Sequence, residues 1–540
     1  MYLGLNIDQD ASACLFKDGE IIWYNEEKKL TTKKLYSGIP YRCIDQVRQK
    51  TKNIEQCFIT GYNYNALYVR DINHLLKYKG IETKQETMAL FTPHHLSHLF
   101  KSYIDSGFEE ARVFVIDGRG SDWYLSDNSE TFETCSIYDI NKKNFKCIYK
   151  IVYSRLGHKK NAKVNSNYIP NVNKKEVFEN YQPFSITNQT KFKISSNLDL
   201  GHFYANISSH FNFKDQEGKF MGLQSYGKFN QKYYEQINKS PNEKTINKLP
   251  KTIDVAHTCQ KFFEDKYLEL VKKYKYKNMV FTGGTALNVV NNYKLKKHFK
   301  DYNLWFDPLC GDVGNSIGTV YAFMYLNKKK IKPLENIYLG SEINSFEESL
   351  QENEMLIKDV NINKVIELLN QGEVVGLIQG KAEAGPRALG NRSLLLDPTL
   401  PSAKDIMNRI KKRESFRPFA CTIIEEEIDK YFDMEKTQYM MLAAQAKKLA
   451  KETIPSLVHI DNTCRVQTIN KKQNKILYDI LKKFKIPILM NTSFNLSGKS
   501  IVEKFSDVLW TVRNSNLKYV YFANHKILLY KNLEKRNDKY

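Results

Sequence analysis

Short apolar runs occur along the whole chain, and each one ends in a polar or glycine-rich segment. They cover residues 3–7, 113–116, 278–281, 373–378 and 486–490. Apolar runs of this length, bounded by turn-forming residues, indicate buried β-strands. Together with the helix starts that lie between them, these runs predict an α/β protein whose polar strand ends are candidates for functional loops.

The first two runs are each followed by an acidic turn of small residues and then by a second strand. Residues 3–7 lead into the turn at 8–13 and a hairpin around Asp18-Gly19, whereas residues 113–116 lead into Asp117 and a glycine-rich turn. This repetition is similar to the duplicated architecture of the sugar-kinase, actin and Hsp70 superfamily. The first turn is either a phosphate cradle or an ordinary edge hairpin.

A helix is predicted to begin at Thr92-Pro93, because threonine is a good N-cap and proline suits the first helical position. His94 and His98 then lie four residues apart on one face of the first turns. Such a pair can share one metal ion. The alternative is a helix start with one core histidine and two solvated ones.

Two aspartates strengthen the case for a metal site. Asp117 follows the strand at 113–116, and Asp312 lies in a loop between two glycines. Two histidines and two aspartates without a thiolate suit Fe²⁺, Mn²⁺ or Zn²⁺, and the sequence does not choose among these ions.

Composition sets the broad class. At 540 residues the chain should form about two to four domains, and its apolar content of 42% is that of a folded protein. The nine cysteines form no Cys-x-x-Cys pair, which indicates a reducing compartment. No signal peptide or membrane span is visible, so we expect a cytoplasmic protein.

The formal charge of +22 has two readings. A nucleic-acid surface would need clustered lysines and arginines, but the lysines are spread along the chain in short groups such as Lys328-Lys329-Lys330. We favour a solvated basic surface, which would also attract an anionic small substrate.

Later segments suggest phosphate chemistry. The strand at 278–281 leads into Gly283-Gly284, which is either an anion-binding helix start or a close helix–strand crossing. A domain boundary is expected between Pro333 and Glu354, and arginines beside glycine, proline and serine follow it in loops suited to bidentate phosphate contacts. Residues 135–198, polar and rich in lysine and asparagine, look like an insertion or lid.

Seven stretches, in this order, resemble the O-carbamoyltransferases that modify nodulation factors and several antibiotics. They are Asp10-Ala11-Ser12-Ala13, His94-His95-Leu96-Ser97-His98, Gly218-Lys219-Phe220-Met221-Gly222-Leu223, Gly283-Gly284-Thr285-Ala286-Leu287-Asn288, Gly385-Pro386-Arg387-Ala388-Leu389-Gly390-Asn391-Arg392-Ser393, Arg413-Glu414-Ser415-Phe416-Arg417-Pro418-Phe419 and Asn491-Thr492-Ser493-Phe494-Asn495.

This resemblance implies an actin-like transfer domain over residues 1–345, with the insertion at about 135–198, and a YrdC-like domain over 346–540. The second domain would form carbamoyladenylate from carbamoyl phosphate and ATP, and the first would transfer the carbamoyl group to an acceptor hydroxyl. The metal would be Fe²⁺ before Mn²⁺, Zn²⁺ or Mg²⁺. The acceptor would be a small molecule or nucleotide, with no membrane involved; nucleic acid and oligomeric state stay open.

The resemblance also assigns residues. The metal positions are His94, His98, Asp117 and Asp312. The catalytic positions are Gln9, Asp10, His95, Lys411 and Arg413. The nucleotide- and phosphate-binding positions are Ser12, Lys219, Gly222, Gly283, Gly284, Asn288, Arg387, Arg392, Arg417, Arg465, Asn491 and Asn495.

One departure from this family bears on the chemistry. Gln9 stands where members usually carry a histidine that looks like the base for the acceptor, and an amide cannot act as a base at neutral pH. Asp8, Asp10 or His95 are candidate substitutes. Smaller departures are Asn462 in place of glycine and Lys499-Ser500 in place of Glu-Pro. The competing hypotheses are a tRNA-modifying threonylcarbamoyl transferase and a nucleotide- and metal-binding relative with impaired transfer.

Overall fold

A computed structural model describes residues 1–62, 66–84, 90–124, 130–154 and 190–533. The chain divides into two compact units. The first comprises Met1–Lys28 and Leu35–Glu335, and the second comprises Lys29–Lys34 and Asn336–Tyr540. Both units combine sheets with helices, so the predicted α/β class is confirmed.

The described strands of the first unit number fourteen. They are β1 (Tyr2–Asn6), β2 (Ser12–Lys17), β3 (Glu20–Glu26), β4 (Asn53–Ile54), β5 (Gln56–Gly61), β6 (Glu82–Thr83), β7 (Leu90–Pro93), β8 (Glu110–Ile116), β9 (Asp122–Tyr124), β10 (Glu130–Asn141), β11 (Phe145–Tyr153), β12 (Lys191–Ser195), β13 (Asn278–Thr282) and β14 (Asn303–Phe306).

The described α-helices up to residue 335 follow in chain order. They are α1 (Glu27–Thr31, which runs from the first unit into the second), α2 (Tyr41–Lys50), α3 (Ala66–Tyr78), α4 (His94–Ser106), α5 (Leu200–His210), α6 (Glu217–Leu223), α7 (Gln231–Lys239), α8 (Glu243–Asn247), α9 (Ile253–Lys273), α10 (Val289–His298) and α11 (Asn315–Leu326).

The two large sheets of the first unit share one strand order. The first runs β3-β2-β1-β5-β7, and the second contains β11-β10-β8-β13-β14, extended by β12 next to β11. In each sheet an antiparallel three-stranded meander is followed by two parallel strands. The turn of the first meander has Asp18 and Gly19 at φ 52° and 93°, the left-handed conformations that a tight two-residue hairpin needs.

Helix α11 packs against α4 and against β1. Gly318 makes this approach possible, since any side chain there would collide with the backbone carbonyl of Ser97. The close packing brings the start of α11 beside the start of α4, where the polar residues of both elements meet.

The expectation of an insertion at 135–198 is wrong for its first part. Strand β10 lies between β8 and β11, so residues up to 153 are part of the second sheet. Its apolar residues, such as Ile137 and Val152, are buried in the sheet, which the lysine-rich composition of the segment obscures. Residues 155–189 lie outside the described residues.

The second unit contains one nine-stranded sheet in the order β15-β23-β22-β16-β17-β21-β18-β20-β19. Its strands are β15 (Glu354–Ile357), β16 (Val375–Ile378), β17 (Arg392–Leu396), β18 (Ala420–Ile424), β19 (Ala443–Gln445), β20 (Thr463–Ile469), β21 (Ile488–Ser493), β22 (Tyr519–Phe522) and β23 (Ile527–Lys531). Its described α-helices after residue 336 are α12 (Ile362–Asn370), α13 (Ala403–Lys411), α14 (Ile428–Tyr431), α15 (Lys448–Thr453), α16 (Lys475–Lys483) and α17 (Phe505–Arg513).

A hydrophobic core holds α12 and α16 against this sheet. Leu369 and Leu481 of the helices join Leu377, Leu395 and Leu489 of three strands in one buried cluster. Burying a leucine side chain contributes about 1.5–3 kcal/mol, so this cluster holds the two helices firmly on the sheet.

Candidate active site

Helix α4 begins at His94, directly after β7, with Pro93 as its N-cap residue. Thr92 is not the cap: its hydroxyl accepts a hydrogen bond from Thr319 at 2.6 Å instead. The first free backbone N–H groups of the helix are satisfied from elsewhere. His94 N donates to Ser121 Oγ (2.9 Å) and His95 N donates to Glu133 Oε1 (3.2 Å).

Four side chains from three elements converge at this helix start. His94 Nε2 lies 3.2 Å from both Asp117 Oδ2 and Asp312 Oδ1, and His98 Nε2 lies 3.5 and 3.4 Å from the same oxygens. One ligand atom from each of the four residues lies within 4.8 Å of the others, and all four are buried. Asp117 follows β8, and Asp312 opens the short turn before α11.

The two buried carboxylates of this cluster stabilise a positive charge between them. Burial lowers the pKa of His94, but the charge of Asp312 and hydrogen bonds to both carboxylates outweigh it and raise the pKa to about 10. Burial raises the pKa of Asp117, but hydrogen bonds from His94 and His98 hold it well below its usual value. Two imidazoles and two carboxylates facing one point fit a divalent cation of the first transition row.

Backbone and phenol groups orient the two carboxylates. Asp117 Oδ1 accepts hydrogen bonds from Gly118 N (2.7 Å) and Gly284 N (3.1 Å), and Asp312 Oδ2 accepts one from Tyr62 OH (2.6 Å). Tyr62 is a site residue that sequence reasoning missed, since nothing in its local sequence separates it from the chain's many tyrosines.

Gln9 lies at the edge of this cluster. Its Oε1 atom is 3.3 Å from Tyr62 OH, so Gln9 lies beside the phenol that donates to Asp312. Asp8 is also close, since its Oδ2 accepts from Tyr62 N at 2.7 Å, and burial raises its pKa. The glutamine therefore stands next to the candidate metal ligands on the solvent side.

Asp10 and Ser12 are engaged within the protein. Asp10 adopts φ 53° and pairs with Lys28 at 2.9 Å. The Ser12 hydroxyl donates to Val313 O (3.0 Å) and lies 2.9 Å from Ser316 Oγ, so it ties β2 to the turn that carries Asp312.

His95 is not part of the metal cluster. Its Nδ1 lies 2.8 Å from Ser136 Oγ, and the neighbouring Glu133 forms a buried ion pair with Lys150. Burial is the main reason that the pKa of His95 falls to about 3. The residue thus belongs to a buried polar network that supports the start of α4.

The Gly283-Gly284 segment has the close packing that one interpretation of its sequence predicts. Gly283 has φ 85°, and a side chain there would collide with the backbone of Ile116, so the packing role is real. Gly284 donates its N–H to Asp117, and Asn288 caps α10 by accepting from Asn291 N at 3.1 Å. Lys219 and Gly222 lie on α6, with Lys219 Nζ 5.9 Å from the ring of Phe213.

Asp199 is a second residue that sequence reasoning did not single out. It precedes α5, whose Gly201 packs so closely on Asp117 that a side chain there would collide with the Asp117 carbonyl. Burial raises the pKa of Asp199 to about 7.

In the second unit, strand register gathers the predicted arginines at one sheet edge. Ala420 pairs with both Arg465 and Asn491, and Ser393 pairs with Ser493. The loops that carry Arg387, Arg413 and Arg417 enter the sheet at this edge. Burial and then the charges of these three arginines hold the pKa of Arg465 well below its usual value.

The arginines differ in how their guanidinium groups are used. Arg413 donates to Asn408 Oδ1 (3.0 Å) and Pro418 O (2.9 Å) and lies over the ring of Phe419. Arg417 lies 3.6 Å from Glu414. The Nε atom of Arg465 is buried and has no hydrogen-bond partner among the described residues.

Arg392 differs from the other four predicted arginines in its hydrogen-bond partners. Its fully buried guanidinium donates to the carbonyls of Ser341, Gln379, Gly380 and Asn391 at 2.7–3.1 Å. It therefore holds its own loop together. Glu383, which sequence reasoning missed, also stabilises this loop. Its Oε1 accepts hydrogen bonds from the backbone N–H groups of Leu389, Asn391 and Arg392.

Lys411 and two asparagines form a polar layer beneath the arginines. Lys411 Nζ donates to Asn495 Oδ1 (2.8 Å) and to Ser493, and burial lowers its pKa well below the usual value. Asn491 Nδ2 donates to Thr422 (2.7 Å) and Gln467 (3.1 Å).

Known families match both units. Residues 42–249 and 239–321 match the family described as "Carbamoyltransferase N-terminus", and residues 366–528 match "Carbamoyltransferase C-terminus". The chain belongs to the carbamoyltransferase family and is a carbamoyltransferase enzyme. The resemblance drawn from the motifs is thereby confirmed.

Similar proteins match this chain over different shares of their own length. The chain is 28% identical to an uncharacterized protein of Methanocaldococcus jannaschii, over 98% of this chain and 99% of the relative. It is 24% identical to nodulation protein NolNO of Sinorhizobium fredii, over 94% and 77% of the two chains. The solved structure of HypF from T. kodakarensis is similar at 11% identity and a TM-score of 0.33, over 61% and 47% of the chains.

Among the described helices, none has the length and apolar character needed to cross a membrane.

Proposed function

We propose that this carbamoyltransferase is ATP-dependent and acts on a hydroxyl group. In this proposal the second unit, with a YrdC-like fold, makes carbamoyladenylate, and the first unit, with an actin-like fold, transfers the carbamoyl group from it. The observation that carries the proposal is the cluster of Arg387, Arg413, Arg417 and Arg465, which concentrates positive charge at one sheet edge where Glu414 is a nearby acid.

Such a cluster suits two phosphate-bearing substrates at once. Water would first hydrolyse carbamoyl phosphate to carbamate and inorganic phosphate. A carboxylate oxygen of the carbamate would then attack the α-phosphorus of ATP, and diphosphate would leave. Arginines bind phosphate oxygens bidentately and keep their charge when buried, so they can neutralise both substrates. The unpartnered Nε of Arg465 supports a ligand contact at that residue.

In this proposal Lys411 positions the polar residues next to the arginines. Its ammonium fixes Asn495 and Ser493 at the end of β21, beside the arginine loops. Burial, and then the charges of Arg413 and Arg417, hold its pKa well below the usual value.

In the first unit, His94, His98, Asp117 and Asp312 would hold the divalent cation, with Fe²⁺ preferred from the family resemblance. When bound, the cation supplies a Lewis acid that stabilises charge on the adenylate phosphate as AMP leaves. Tyr62, Gly118 and Gly284 keep the two carboxylates oriented. The shared strand order of the two sheets supports the actin-like assignment.

The acceptor hydroxyl needs a base, and Gln9 cannot supply one. We propose Asp8, whose Oδ2 accepts from Tyr62 N at 2.7 Å beside Gln9 and whose pKa is raised by burial. A small molecule with a free hydroxyl is the proposed acceptor.

The test uses ¹³C-labelled carbamoyl phosphate, ATP, a divalent cation and a small-molecule extract from cells. Mass spectrometry should detect labelled carbamoyladenylate and a labelled carbamate ester of a hydroxylated metabolite. If folded protein forms neither labelled product with Fe²⁺, Mn²⁺, Zn²⁺ or Mg²⁺, the proposed function is wrong.

A further inference from the structure

One candidate metal ligand, His98, has a hydrogen-bond partner on each ring nitrogen. Its Nδ1 lies 3.4 Å from Thr282 Oγ1, and its Nε2 lies 3.2 Å from Asn315 Nδ2. His98, Thr282 and Asn315 are all buried, so neither contact competes with bulk water. Thr282 is the last residue of β13, immediately before Gly283-Gly284.

The threonine hydroxyl is itself held by a carboxylate. Thr282 Oγ1 lies 3.2 Å from Asp307 Oδ2, and Asp307 forms a buried ion pair with Lys101. Asp307 Oδ1 also accepts from Leu309 N at 3.0 Å. An ionised carboxylate can only accept hydrogen bonds, so the proton of the Thr282 hydroxyl points toward Asp307.

This polarity decides the tautomer of His98. Because the Thr282 proton is committed to Asp307, its oxygen can only accept from His98, and Nδ1 must carry a proton. The amide nitrogen of Asn315 is a donor, so it meets Nε2 as an acceptor. A histidine ligates a metal only in its neutral form, and in that form both contacts place the lone pair of His98 on Nε2, the atom that faces Asp117 and Asp312.

His94 provides a contrast within the same cluster. Its Nε2 faces the same two carboxylates, but its Nδ1 is buried and has no hydrogen-bond partner within the described part of the chain. Within the described ranges, His98 is therefore the one of these two histidines that a side chain orients through its far nitrogen.

We infer that Thr282 is a positioning residue for the metal site, which holds His98 in its metal-binding tautomer through the chain Lys101–Asp307–Thr282. This inference rests on the proposed metal site. Hydrogen bonds to the far nitrogen of a ligating histidine typically change metal affinity by about 10- to 100-fold.

Cobalt(II) binding tests it directly, because the d–d absorption of Co²⁺ reports both affinity and coordination. Thr282→Val keeps the shape of the side chain and removes the hydroxyl, and Thr282→Ser keeps the hydroxyl as the matched control. We expect Thr282→Val to weaken Co²⁺ binding about 10- to 100-fold with an altered spectrum, while Thr282→Ser stays within about threefold of wild type. Thr282→Ala replaces Thr282→Val if the valine variant does not fold.

The outcomes separate the two levels of the proposal. If wild-type protein binds Co²⁺ and the hydroxyl-free variant binds it with equal affinity and an unchanged spectrum, the role of Thr282 is wrong while the metal site stands. If wild-type protein binds neither Co²⁺ nor Fe²⁺, Mn²⁺ or Zn²⁺, the metal site itself is wrong and the inference falls with it.

Discussion

At the scale of single residues, two departures from the family's usual pattern have different consequences. Asn462 replaces a glycine, but it adopts φ 63°, a left-handed conformation that asparagine tolerates better than other side chains. The loop geometry is therefore kept. Gln9, in contrast, replaces an ionisable group beside the candidate metal ligands.

Restoring the histidine at position 9 should raise the rate of carbamoyl transfer and leave carbamoyladenylate formation unchanged. The position is exposed and lies next to Tyr62, so an imidazole there could reach an incoming hydroxyl and take its proton. The measurement compares labelled product formed by wild type, Gln9→His and the non-basic control Gln9→Asn. Equal rates in all three would contradict this prediction, because an imidazole at position 9 would then take no part in proton removal.

The raised pKa of Asp199 makes a prediction about stability. Between its ordinary value of about 3.9 and about 7, the folded state binds more protons at this residue than the unfolded state does. Stability contributed by the group is therefore lost as the pH rises through this window. Asp199→Asn removes that loss, so the variant should gain melting temperature over wild type at pH 8 but not at pH 4.

The measurement is thermal unfolding of both proteins across pH 4 to 8, with Asp429→Asn, an exposed surface aspartate, as the control. A difference in melting temperature between Asp199→Asn and wild type that does not change with pH would contradict the raised pKa of Asp199.

At the scale of elements, the sequence predicted helix α4 and the strands around it but not the contacts that secure them. The start of α4 was expected from Thr92-Pro93, yet its N–H groups bond to Ser121 and Glu133, which come from a later turn and strand. Local sequence predicts local hydrogen bonds; a cap supplied from residues about 27 and 38 positions away has no local signal.

Removing this distant cap should destabilise the protein. Ser121→Ala deletes the acceptor for His94 N and should lower the free energy of unfolding by about 1 kcal/mol, the usual cost of losing an N-cap. Urea unfolding measures the change. Ser106→Ala, which alters a hydroxyl in the last turn of the same helix, is the control and should cost less.

At the scale of the whole molecule, motif order predicted the family, while strand register was needed to assemble the sites. Arg387, Arg413, Arg417 and Arg465 are separated by up to 78 positions. Their loops meet at one edge because β21 pairs with β17 and β18, and β18 pairs with β20. Arg392 has the same residue type in the same motif as Arg387, but burial commits it to backbone carbonyls. Sequence spacing alone does not separate these two roles.

The division of labour between the two units is the central claim, and one measurement tests it most directly. Carbamoyladenylate formation from ATP and carbamoyl phosphate is followed by mass spectrometry in wild type, Arg465→Gln and Asp117→Asn, each checked for folding by circular dichroism. We predict that wild type and Asp117→Asn form the adenylate at similar rates and that Arg465→Gln loses at least about 100-fold, consistent with removal of a charged contact worth about 3 kcal/mol. Equal loss in both variants, or retention in Arg465→Gln, would contradict the account.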